Sequence, residues 1–170
     1  MSAWRRRALQ LLPEYPEIIE TADTPMFLWT ELSYPFSRAA EEKNTDLLQR
    51  IFDLAQWCWK ESRYDEAVTA ALIGFYENIP SHKEHWWTIP RFVSSADFNG
   101  LDQVFRYFLD EVQFAELAEF YLRERKLLEK DALKTKKKNE QSCPPNSHAL
   151  GSFVTDPADT GSAPKASGSR

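Results

Sequence analysis

Apolar residues recur along this chain at helical intervals and never alternate with polar ones long enough to make a strand. The clearest run follows Asn44-Thr45-Asp46. There Leu47, Leu48, Ile51, Leu54, Ala55 and Cys58 share one helix face, flanked by Phe52, Trp57 and Trp59. A second face collects Ala67, Val68, Ala71, Leu72, Phe75, Tyr76 and Ile79. Only KESRYDE separates the two, which predicts an antiparallel helical hairpin. Farther on, Phe98, Leu101, Val104, Phe105 and Phe108 line one helix. Phe114, Leu117, Ala118, Tyr121 and Leu122 line the last, whose basic end suits a helix C-terminus.

Start and stop signals agree with these periods. A first helix is predicted over residues 3–12, ended by Pro13, and Pro16 opens a short turn in PEIIETA. Thr24-Pro25 reads as an N-cap followed by a first-turn proline. The helix it opens contains Pro35, which removes a backbone hydrogen bond and is expected to bend it. Asn44 caps the next helix. Ser94 and Asp97 have the spacing of a capping box, with Asp in place of Glu or Gln. SRYDEAVTAALIGFYENIP is similar to one helix of a tetratricopeptide unit, but no repeat period links it to another segment. The expectation is an all-α fold: a single irregular bundle of six to seven helices over residues 1–130.

Composition adds a boundary. The 170 residues are 42% hydrophobic and 14% aromatic, ample for a core, yet after Tyr121 the only aromatic is Phe153. From Asp131 the chain is rich in Lys, Ser, Pro, Gly and Ala, and residues 131–170 read as a disordered tail. Cys58 lies in an apolar pattern and Cys143 in the tail, so no disulfide framework is implied. No apolar run reaches the length of a membrane span. The ALQLL segment after Arg5–Arg7 is too short for a secretion signal. A cytoplasmic location is expected.

One stretch, PSHKEHWWTIP between Pro80 and Pro90, raises the question of chemistry. His82 and His85 are three residues apart, a spacing that puts two metal ligands on one helix face. Further ligands are missing: Cys143 and His148 fall in the tail, and HKEH matches no zinc-protease order. There is no phosphate-binding glycine loop, no nucleophile elbow, and no histidine partner for Cys58. No catalytic residue and no cofactor are therefore assigned. Adjacent residues of a helix diverge by ~100°, so one of Trp86 and Trp87 is expected in the core, and the other is either a second core anchor or a partly exposed partner contact.

Charge points toward the kind of partner. From Pro13 to Leu122 there are 8 Lys or Arg against 20 Asp or Glu, 12 more acids than bases. Such a body repels phosphate backbones, which disfavours nucleic acid, and it steers basic molecules inward.

LLPEYPEIIE, PMFLWTEL, LLQRIFDLAQWCWKE, AVTAALIGFYENIP, the WWTIPRF corner and DFNGLDQVFRYFLDEVQFAELAEFY resemble an uncharacterised family of small bacterial all-helical domains, over about Leu11 to Tyr121. The resemblance implies a compact helical domain with a role like those of small immunity or accessory proteins, and it carries no catalytic residue. The functional expectation is a non-enzymatic interaction domain of immunity type that masks a basic toxin or effector. Its expected contacts are Trp86, Trp87, Asp65, Glu66 and Glu77. The alternative is a metal-binding protein or metal-dependent enzyme centred on His82 and His85.

Overall fold

The computed structural model describes residues 1–141, with side chains through Lys136. Among the described residues there are nine α-helices and no strand. These are α1 (Ala3–Leu11), α2 (Pro16–Thr21), α3 (Pro25–Glu41), α4 (Thr45–Lys60), α5 (Asp65–Ala71), α6 (Thr88–Phe92), α7 (Ser95–Gly100), α8 (Asp102–Phe105) and α9 (Glu111–Gln141). The all-α expectation holds. The bundle has more and shorter helices than the apolar periods predict, because two of the expected helices are broken.

The first break follows α5. The face from Ala67 to Ile79 reads as one helix, but the α-helix stops at Ala71 and a π turn spans Leu72–Tyr76. The Glu77 N–H donates to the Leu72 carbonyl at 2.9 Å, the i to i+5 bond that defines such a turn. Gly74 allows it to press on α3. A Cβ there would lie 2.9 Å from Trp29 Cβ and 3.1 Å from Met26 Sδ. Pro80, with no N–H to give, then ends regular helix, and two 3-10 turns (Ile79–Ser81 and Lys83–His85) carry the chain to α6. The second break divides the segment after Ser94 into α7 and α8 at Gly100–Leu101, which leaves Phe108 53% exposed rather than on a buried face.

Helix starts follow their caps. Thr24 accepts from the Phe27 N–H at 3.2 Å, Asn44 from Leu47 at 3.1 Å, and Ser94 from Asp97 at 3.2 Å. The Asp97 carboxylate does not return to Ser94, as a capping box requires. It pairs with Lys60 and accepts from Gln56 at 3.2 Å, tying α7 to α4. The reciprocal box stands at α9 instead: Asp110 accepts from the Gln113 N–H at 2.7 Å, and Gln113 from the Asp110 N–H at 3.0 Å. α3 continues through the buried Pro35.

The core sits where α3, α4 and α5 pack on one another, with α1 against α4. Leu48, Ile51, Leu54, Ala55 and Cys58 are buried as their period predicts. Phe75, from the π turn, lies between Trp29 (4.9 Å between ring centroids), Phe36 (5.3 Å) and Phe52 (5.2 Å). Arg50 fastens α1: it donates to the Leu11 carbonyl at 2.8 Å and forks onto Glu14, whose carboxyl those hydrogen bonds hold below its usual range.

α9 docks through α6. Tyr121 stacks on Phe98 at 4.0 Å and donates to the Val93 carbonyl at 3.1 Å, while Arg125 donates to Pro90 O at 3.0 Å. This helix runs past Lys130 to Gln141. DALKTKKKNEQ cannot build a core, but it lacks Gly and Pro, so it can extend a helix already nucleated. The rest of the expected tail, residues 142–170, lies outside the described residues. Among the described residues no helix is long and apolar enough to cross a membrane.

Candidate functional site

The two tryptophans of the Pro80–Pro90 corner have different surroundings. Trp86 is 4% exposed, and its indole N–H donates to the Pro80 carbonyl at 2.8 Å, closing the corner on itself. Trp87 is half-buried. Its ring meets the edge of Phe92 at 6.4 Å and carries the Lys43 ammonium 3.8 Å from its centroid. One indole thus faces the core and the other lies beneath a lysine.

The histidines do come together, with ring centroids 5.4 Å apart, but in unlike settings. His85 is 5% exposed and edge-on to Phe36 at 5.4 Å, and burial holds its imidazole below the usual histidine range. His82 is exposed, with Nδ1 3.6 Å from a Glu84 oxygen. Among the described residues no group of three or more His, Cys, Asp or Glu side chains is placed to hold a metal ion. Cys58 is buried, and desolvation pushes its thiol up to about 12, far from a reactive thiolate.

The same corner forms part of a cavity of about 500 Å³ between α3 and the π turn. Met26, Trp29, Phe36 and Phe75 supply apolar walls, and Glu77 and His85 supply titratable groups. Glu77 was expected on the surface. It is 7% exposed, because the extra residue of a π turn rotates the residues beyond it by ~100° relative to an unbroken helix. Burial pushes its carboxyl above the usual carboxylate range.

Asp65 and Glu66 are exposed in the first turn of α5, where their charge complements the helix dipole. A groove that the periodicities do not mark lies on α2 and the start of α3. Glu17, Asp23 and Glu31 surround Phe27, 47% exposed, and the half-buried Ile18. Those three acids form no ion pair among the described residues. Arg5 is used inward: it donates to the Ile19 and Ala22 carbonyls at the end of α2. Elsewhere five of the body's bases are held in ion pairs, Arg38 with Glu42, Arg50 with Glu14, Lys60 with Asp97, Lys83 with Glu116, and Arg106 with Asp102 and Glu111.

Set against protein-family models, curated proteins and solved structures, the chain has no significant match.

Proposed function

We propose that this domain is a non-enzymatic interaction module that binds a basic protein, in the manner of an immunity or accessory protein masking a toxin or effector. The observation that carries this is where the charges go. Five of the eight bases between Pro13 and Leu122 are held in ion pairs, and a sixth, Lys43, lies on Trp87. The excess of acid is left facing outward.

The α2–α3 groove concentrates that excess around apolar surface. Acids attract a basic partner at a distance, and Phe27 and Ile18 offer it area to bury on contact. Asp65 and Glu66 extend the acidic field. Trp86 and Glu77 are buried and offer a partner no direct contact, while Trp87 would contribute only after Lys43 moves.

The test is affinity purification of the full chain from its native host beside a Glu17→Lys, Asp23→Lys, Glu31→Lys variant. The expected result is a basic protein retained by the wild type and released by the variant. Retention of the same protein by both, or recovery of no basic protein, overturns the proposal.

A further inference from the structure

The Glu77 carboxyl lines the α3–π-turn cavity and makes no hydrogen bond or ion pair among the described residues. The residue is 7% exposed, and its oxygens open on the cavity rather than on a protein donor or cation. The bases of this corner face other groups: Lys43 lies on Trp87, Lys83 on Glu116, and the exposed His82, which also lines the cavity, beside Glu84, while burial holds the His85 imidazole below its usual range. Glu77 thus lines the cavity without an ion-pair partner among the described residues.

The walls supply the second half of the arrangement. Trp29, Phe36 and Phe75 form a contiguous aromatic surface, with Trp29 and Phe36 centred 4.9 and 5.3 Å from Phe75, and the Met26 thioether lies beside them. Aromatic faces attract cations and accept apolar groups equally well. The volume of about 500 Å³ suits a ligand of small-molecule size. The π turn, a form often found at functional sites, brings both Phe75 and Glu77 to the cavity.

We propose that this cavity binds a small organic cation, its ammonium group paired with Glu77 and its apolar or aromatic body against Trp29, Phe36 and Phe75. Such a site lies apart from the acidic groove on α2 and α3, shares none of its lining residues, and stands or falls separately from it.

Titration of the full chain with phenethylammonium, phenethyl alcohol and hydrocinnamate, followed by amide chemical shifts, tests it. These share one body and differ in charge. The cation is expected to bind about tenfold or more tighter than the alcohol, with shifts centred on Gly74 and Asn78. Glu77→Gln is expected to bring the two within about threefold. Ser33→Trp fills the cavity from an exposed lining position and leaves Glu77 in place, and it should weaken the cation by about tenfold or more. Equal or preferred binding of the alcohol or the anion, no binding at millimolar concentration, shifts centred elsewhere, or an unchanged preference in Glu77→Gln each overturns the proposal. So does unchanged binding by Ser33→Trp.

Discussion

Lys43 holds a left-handed backbone conformation, φ 57°, and from there lays its ammonium 3.8 Å from the centroid of the Trp87 ring. The conformation ends α3. The Asn44 N–H reaches Ala39 O at 2.9 Å and the Lys43 N–H reaches Ala40 O at 3.4 Å, the paired bonds of a Schellman motif in which glycine is the usual residue. A lysine here costs about 1–2 kcal/mol in backbone strain, and the cation–π contact offsets roughly 0.5–2 kcal/mol of that. Lys43→Ala keeps the strain and loses the contact, so it should destabilise by about 0.5–2 kcal/mol. Lys43→Gly loses both and should unfold within about 1 kcal/mol of wild type. Urea unfolding of the two variants checks the order; an alanine variant as stable as the glycine one would remove the role assigned to Trp87.

The two glycines of the helical region are predicted to respond in opposite ways to alanine. At Gly74 a Cβ meets Trp29 Cβ at 2.9 Å, an atom close to the α3 backbone that cannot swing aside. Gly74→Ala should therefore cost about 1–3 kcal/mol, despite the better helix propensity of alanine. At Gly100 the nearest atom is the far edge of the half-buried Trp59 indole at 3.3 Å. That ring can yield, and Gly100→Ala should be neutral or stabilising by up to about 1 kcal/mol. Thermal melts of both proteins test the contrast.

This pair also shows how far the sequence could be read. The caps at Thr24, Asn44 and Ser94, and the buried face of α4, follow from residue type and spacing and were legible. Gly74 was visible as a glycine within a helical pattern, but its meaning depends on Trp29, remote in sequence and close in space. The π turn that results was not legible, because one inserted residue leaves the apolar spacing around Phe75 and Tyr76 almost unchanged. Glu77 was misplaced outward for that reason. Trp86 and Trp87 were separable in principle by their divergence on a helix; which one faces inward depends on Pro80 O and Lys43, partners that periodicity does not reveal. The Asp110-x-x-Gln113 box was legible from spacing alone and escapes a reading that starts the helix at Glu111.

Two buried titratable groups predict how stability varies with pH. The folded His85 imidazole is held below its ordinary value of 6.5 by burial. Above that value both states are neutral and its contribution is complete. As pH falls below 6.5 the unfolded chain gains a proton that the folded one resists, so stability declines. Glu77 works the other way: its folded carboxyl is raised above 4.5, so its contribution is complete below that pH and is lost as pH rises through the raised value. His85→Gln should flatten the decline between about pH 6.5 and 5, and Glu77→Gln should raise stability at about pH 7 more than at about pH 4. Urea midpoints measured across this range decide it. A wild-type slope surviving in His85→Gln would assign the pH dependence to other groups.

The last prediction concerns how a basic partner arrives. Glu17, Asp23 and Glu31 are exposed and act first through the field they project, before contacts form. Reversing all three should slow association by about tenfold or more at low salt and change the dissociation rate much less. Because salt screens such a field over a Debye length of about 10 Å at 0.1 M, the wild-type on-rate should fall with added salt while that of the variant stays nearly flat. Phe27→Ala should do the reverse, leaving the on-rate and its salt dependence in place while speeding dissociation, since it removes area buried only after docking. Asp65→Lys with Glu66→Lys, in the first turn of α5 and outside the groove lining, should slow association by a smaller factor. Stopped-flow or surface-based kinetics with the recovered partner, run at two salt concentrations, separate these effects. If the triple reversal altered only dissociation, the acids would be direct contacts rather than a steering field, and the groove would have to be redrawn around them.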